Sequence, residues 1–188
     1  MKEFNLAGTL RSDYGKKAAK CLRKQELVPC NLYGNGQNVT FTVNVNDVRK
    51  LIYTPDTQIV NLTIEGKECK AVVKELQFHP VSENLLHIDF LQVTEDKPVT
   101  VEIPVQLEGH AEGVKAGGKL QLVTRKLKVK AIYTNLPDRI VIDVTSLGLG
   151  KKLQVADLKY DNIEIVNVKT QIVAQVKATR QSAQAAAE

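Results

Sequence analysis

His87 and Asp89 are the residues whose types and spacing could do chemistry. They lie two apart in the run Leu85 to Val93, which reads as a strand. Strand side chains alternate, so residues two apart point the same way. Ile88 and Phe90 then face a core, and His87 and Asp89 face out side by side. Three chemistries are open to such a pair. A carboxylate can orient an imidazole for proton transfer. The two can form a plain surface pair. They can also read base edges or 2′-hydroxyls in the shallow minor groove of an A-form helix. No nucleophile or third ligand stands at a recognisable motif spacing, which argues against catalysis. An aspartate among phosphates is unfavourable unless it accepts from a base amino group or fixes a neighbouring side chain.

A second set of residues favours the last chemistry. Lys16, Lys20, Arg23 and Lys24 are spaced four, three and one apart, so on a helix they share one face. Ala19, Leu22 and Leu27 fall nearer the opposite side. A helix with an apolar back and a basic front docks on a sheet and offers cations outward. Each phosphate such cations neutralise releases a counterion and adds salt-dependent affinity. The competing reading is a solvated helix face.

The distribution of charge sharpens this. Net charge is +5. Residues 1–24 hold seven basic and two acidic residues, leaving 19 of each sign over the rest of the chain. The whole excess sits at one end, as an electrostatic footprint on a polyanion requires.

Other candidates carry less. Tyr33 closes a strand beside two glycines; it either stacks on or bonds to a sugar-phosphate, or covers a core edge. His79 before Pro80 reads as structural. Gly113 to Gly118 is neither GxxxxGK[ST] nor GxGxxG, so it reads as a loop needing positive φ or a close backbone approach. His79, His87 and His110 are too scattered for a metal site. No cofactor or small-molecule substrate is expected, and the protein reads as a non-enzyme. Cys21, Cys30 and Cys69 lack CxxC spacing, which points to a reducing compartment. Cys21 is either a reactive thiol among cations or, as the plainer reading, a small buried filler. No leader or 18-residue apolar run is visible. The reading is a cytoplasmic protein with no membrane partner.

The elements that must position these residues are mostly strands. With no Trp and only nine Phe and Tyr, the cores fall to Val, Ile and Leu, which favour strands. Phe4–Leu10 is a first strand. Lys16–Leu27 is helical and stopped by Pro29. Cys30–Tyr33 is a short strand closed by the turn cluster Gly34-Asn35-Gly36. Val39–Val45 alternates strictly as a half-buried strand. Asn46 caps a helix running to about Tyr53. Gln58–Ile64 and Cys69–Phe78 flank a hairpin turn at Glu65-Gly66-Lys67.

The polar break from Thr94 to Pro98 marks a boundary between a domain of residues 1–94 and one of 95–178, with 179–188 as a flexible tail. Beyond the boundary the pattern is nearly all β. Val99–Leu107 carries Pro104, which suggests an edge strand. Gly109–Gly118 reads as a flexible loop and Leu120–Tyr133 as one long alternating strand. Ile140–Val144 follows, then a turn or helical piece at Val155–Leu158. Ile163–Val168 and Gln171–Val176 are the last strands.

Taken together, Arg11, Gly15-Lys16, the run from Ala19 to Arg23, Val28-Pro29, Leu32-Tyr33-Gly34, Leu76-Gln77 with Pro80, and His87-Ile88-Asp89-Phe90 resemble a known family. It is the bacterial large-subunit ribosomal protein family that binds 5S rRNA, number twenty-five of that subunit. Residues 98–178, with Gly113-Val114, Ala116 to Leu120, and Leu147-Gly148 through Leu158, resemble the second β domain of its longer Ctc, or general-stress-protein, form. The resemblance implies a mainly β protein with few helices: a six-stranded N-terminal β-barrel with short helices, then a second all-β domain. It implies docking on the loop E region of 5S rRNA, with helix cations on phosphates and the His and Asp in the minor groove. The contacts it carries over are Arg11, Lys16, Lys20, Arg23, Tyr33, Gln77, His87 and Asp89, and the basic helix face adds Lys24. Its partners would be 5S rRNA and neighbouring large-subunit components. Lys20 stands where members of the family often have Arg, which removes a bidentate fork on phosphate.

Two readings of function follow. The first is a structural constituent of the large ribosomal subunit that holds 5S rRNA in the central protuberance. The second is a stress-related protein–protein interaction module with only generic RNA affinity.

Overall fold

A computed structural model describes residues 2–94, 97–160 and 162–179. Contacts divide the chain into two compact units. The first runs to Val101 and takes in Ile132–Thr134; the second spans Glu102–Ala131 and resumes at Asn135.

The first unit contains β1 (Lys2–Leu10), α1 (Lys16–Lys24), β2 (Leu27–Gly34), β3 (Gln37–Asn44), α2 (Val45–Ile52), β4 (Gln58–Ile64), β5 (Lys67–Phe78) and β6 (Leu85–Gln92). The six strands close into a barrel in the order β1-β3-β2-β6-β5-β4. Two hairpins supply the local pairings. Asn35 (φ 48°) and Gly36 (φ 77°) turn β2 into β3, and Glu65 (φ 47°) and Gly66 (φ 80°) turn β4 into β5. Positive φ at both central residues matches the twist of the flanking strands. Two parallel pairings close the cylinder: β1 on β4, from Lys2 opposite Gln58 to Gly8 opposite Ile64, and β2 on β6.

Inside the barrel, Leu6, Val28, Leu32, Phe41, Val43, Leu62, Ile88 and Phe90 form one buried cluster, joined by Val48 and Leu51 of α2. The Phe41 and Phe90 rings lie 5.7 Å apart at a 37° tilt. Gly8 lets β1 pass over this pair: a Cβ there would sit 2.6 Å from Cδ2 of Phe41.

Two expected boundaries move. The helix predicted over Lys16–Leu27 ends at Lys24, and Pro29 lies inside a strand instead of stopping the helix. Glu26 adopts φ 60° and reverses the chain, which frees Leu27 to pair with Asn44. Pro29 is tolerated because the ladder from β2 to β6 begins only at Cys30. The cap of α2 is Asn44 and not Asn46. Its Oδ1 accepts the Asn46 N–H at 2.9 Å, satisfying an orphan donor of the first turn.

The second unit is built on β7 (Val99–Glu108) from Glu102 onward, α3 (Glu112–Lys115), β8 (Lys119–Leu122), β9 (Lys126–Ala131), β10 (Ile140–Asp143), β11 (Lys152–Gln154), β12 (Glu164–Ile165) and β13 (Ile172–Lys177). One sheet has the order β10-β7-β9-β12 and the other β11-β13-β8. Ile103, Leu127, Val129, Val173, Ala174 and Val176 are buried here.

Four expectations are corrected in this unit. β7 is not an edge strand, since β10 and β9 flank it. Val105 N–H donates toward Arg125, so the missing donor of Pro104 faces the β10 side, where pairing starts only at Val105. The stretch Gly109–Gly118 is a packed turn around α3, not a flexible loop. A Cβ on Gly113 would lie 2.6 Å from the backbone of Gly148 and Leu149, which is the close approach the glycines anticipate. The long strand expected over Leu120–Tyr133 breaks after Leu122 into β8 and β9 on different sheets. At the break, the N–H groups of Val123 and Thr124 both donate to the Val173 carbonyl. The strand expected over Ile163–Val168 is reduced to Glu164–Ile165, because the Asn167 side chain, not the backbone, accepts the Lys128 N–H at 2.6 Å. Of the expected tail, residues 180–188 lie outside the described residues.

Candidate nucleic-acid interface

β6 places His87 and Asp89 where the alternation puts them. Ile88 and Phe90 are fully buried, while His87 and Asp89 turn outward. His87 Nδ1 stands 3.4 Å from Asp89 Oδ1, and the two side chains are 20% and 22% exposed. The carboxylate biases the imidazole so that Nε2 points away from it.

β6 lies between β2 and β5, so its outward residues gain neighbours on both sides. Gln77 is opposite His87, and Glu75 is opposite Asp89, on β5. Asn31 is opposite Asp89, and Tyr33 is opposite Leu91, on β2. One strand further, Thr40 is opposite Asn31. The Thr40 hydroxyl donates to the Tyr14 hydroxyl at 3.2 Å, and the Arg11 guanidinium lies 5.7 Å over the Tyr14 ring. A row of acceptors therefore crosses four strands: Glu75, Asp89, Asn31 and Thr40, with Tyr14 and Arg11 at its end.

A β-bulge makes this row. The β5–β6 register shifts between Val73 and Glu75. Cys69, Ala71 and Val73 pack inward, and then so does Leu76, out of phase with them. Lys74 is the extra residue that resets the pleat. Without it, Glu75 and Gln77 would point into the core.

Buried surroundings push the Tyr33 phenol above its ordinary pKa, helped by the carboxylates of Asp89 and then Glu75. The phenol stays a donor beside a row of acceptors.

The cations frame the face from one end. α1 has no buried residue, and Lys16, Lys20 and Lys24 are exposed along it. Arg23 is placed differently. Its Nε and Nη2 both donate to the Leu86 carbonyl, at 3.0 and 2.9 Å. Arg11 Nε donates to the Asp13 carbonyl at 2.5 Å. Each of these guanidiniums keeps further N–H groups for a partner.

The expected residues thus fall into two groups. Gln77, His87, Asp89 and Tyr33 share one face, and Lys16, Lys20 and Lys24 sit on the helix that Arg23 ties beside it. The sequence reading missed Tyr14, Asn31, Thr40 and Glu75. Asn31 and Tyr33 are two apart, as are Asn38 and Thr40, so strand alternation could have found Asn31 and Thr40. The successive polar residues Lys74-Glu75 were the signal for the bulge.

Elsewhere, His79 is structural, as read: its Nδ1 accepts the N–H groups of Val81 and Ser82. Cys21 is exposed and not a buried filler, because α1 lies on the surface. Burial pushes the Cys30 thiol far up and the Cys69 thiol up. Among the described residues, no helix is long and apolar enough to cross a membrane.

Fold and face together define a two-unit β protein whose barrel carries a polar face framed by cations. Comparison with known proteins narrows this class. The family model described as the Ribosomal L25p family matches residues 6–90, and that of the ribosomal protein TL5 C-terminal domain matches residues 98–180. The large ribosomal subunit protein bL25 of Porphyromonas gingivalis is 53% identical over 182 residues, 96% of this chain and 95% of the relative. That of Phocaeicola vulgatus is 52% identical over 194 residues, covering 100% and 98%. That of Azobacteroides pseudotrichonymphae is 54% identical over 181 residues, covering 96% of each. This chain belongs to the Ribosomal L25p family, in its two-domain form. That membership bears out the resemblance seen in the motifs and the expectation of a non-enzymatic protein.

Proposed function

We propose that this protein is a structural constituent of the large ribosomal subunit and binds 5S rRNA, in its loop E region, within the central protuberance. Family membership supports the ribosomal role and an rRNA partner. One observation supports the finer reading: acceptors fill the centre of the barrel face and cations its margin. Phosphates repel Glu75 and Asp89, whereas the amino groups of guanines in a minor groove need such acceptors. The α1 lysines and Arg11 at the margin then meet the backbone, so phosphate contacts position the RNA and the central row reads it. Residues 1–94 carry this function.

The test is a filter-binding titration against 5S rRNA and a tRNA across a salt series. Binding of 5S rRNA that persists at salt levels where tRNA is released is the expected result. Equal binding to both, falling together with salt, would reduce the interface to a generic basic patch.

A further inference from the structure

The outer face of the β11-β13-β8 sheet carries an unneutralised cationic platform. Lys119 of β8 stands directly opposite Lys177 of β13, and Gln121 directly opposite Gln175. Lys152 of β11 is opposite Gln175 on its other side. The alternate residues Leu120, Leu122, Ala174 and Val176 turn inward, with Ala174 and Val176 buried. All three lysines are exposed, while the Gln175 amide donates to Gln121 Oε1 at 3.4 Å. None of the three strands contains a single Asp or Glu.

Like charges directly opposite on antiparallel strands destabilise a sheet. The other sheet of the same unit avoids this. There Lys128 pairs with Glu102 at 4.0 Å and Lys130 with Glu164 at 3.6 Å. Among the described residues, Lys119, Lys152 and Lys177 have no such partner.

We propose that this face is a second RNA-binding surface, on which Lys119, Lys152 and Lys177 neutralise backbone phosphates and Gln121 and Gln175 bond to phosphate or sugar oxygens. Charge complementarity selects the partner. A polyanion relieves the Lys119–Lys177 repulsion, and the RNA of the large subunit supplies one at high local density. Uncharged amides between the lysines suit sequence-independent backbone contact. The inference rests on the ribosomal membership of the chain and not on which RNA the barrel holds.

Two experiments test it on the full chain. In the first, wild type and Lys177→Glu are bound to large subunits stripped of this protein, across a salt series. Lys177→Glu creates a cross-strand ion pair with Lys119, so its melting temperature should equal or exceed that of wild type. Its affinity for the subunit should nevertheless fall, and K119Q/K152Q/K177Q should flatten the salt slope by about two. Unchanged affinity and slope in these folded variants would overturn the proposal. In the second, a photo-crosslinking amino acid replaces Gln121. An adduct released by ribonuclease supports the RNA surface; an adduct with a ribosomal protein, or none, overturns it.

Discussion

Arg23 holds the carbonyl of Leu86 through two of its N–H groups, at 3.0 and 2.9 Å. Leu86 is the residue before His87, so α1 is fastened to β6 beside the acceptor row. The helix fully buries none of its residues, with Ala18, Ala19 and Leu22 half-buried, and this fork ties it to β6 through a side chain. Arg23 is therefore a positioning residue as much as a cation.

A lysine cannot reproduce that planar fork. Arg23→Lys should keep the charge, lose about 1 kcal/mol of RNA affinity, and leave the salt slope close to wild type. Lys20→Ala should lower the slope by about 0.7 to 0.9. Salt titrations of both variants against 5S rRNA separate positioning from phosphate neutralisation. Identical behaviour of the two would refute the distinction.

Asp89 neutralises no phosphate. Asp89→Ala should weaken 5S rRNA binding by about 1–3 kcal/mol while the salt slope holds and far-ultraviolet circular dichroism is unchanged. Normal binding by a folded Asp89→Ala protein would remove the readout role.

Gly8 has no room for a methyl group above Phe41. Gly8→Ala should destabilise the barrel by about 1–3 kcal/mol through overpacking. Because the clash is with one ring, the same change made in a Phe41→Leu background should be milder than in wild type. Urea midpoints of the four proteins measure this coupling, and strict additivity would count against it.

Tyr33 links the face to alkaline stability. Its phenol is pushed up by burial first, then by Asp89 and Glu75. The folded state thus favours the protonated form. That contribution is complete below the unfolded value of about 10, and it is lost as pH rises through the higher folded value. Tyr33→Phe should flatten the alkaline limb of a stability profile, and Asp89→Asn should flatten it in part, because it brings the folded value back toward the unfolded one. Denaturant unfolding between about pH 9 and 12 checks both; superimposable limbs for all three proteins would exclude the coupling.

Several elements were legible because one local rule decided each. Asn35-Gly36 and Glu65-Gly66 are hairpin turns by composition, and the alternation of Ile88 and Phe90 with His87 and Asp89 survives intact. The barrel itself was visible only through family resemblance, since no local pattern reports that β1 closes on β4. The misplaced features share a cause. Glu26 bends at a positive φ that a glutamate does not advertise. Pro29 and Pro104 occupy places where a neighbouring ladder has not begun, a fact of pairing and not of composition. The acceptor row depends on the Lys74 bulge, so simple alternation assigns Glu75 the wrong face. Asn167 replaces a backbone acceptor with its side chain, which no periodicity encodes.

The parallel pairing of β2 with β6 also has a bearing on synthesis. Asn31 and Tyr33 leave the exit tunnel long before His87 and Asp89, and the strand that joins the two halves of the face is the last of the barrel to emerge. Distant pairings form late because loop closure must precede them. On the reading proposed above, the acceptor row that selects RNA is complete only once residue 92 has left the tunnel, because β6 brings Asp89 into line between Glu75 and Asn31.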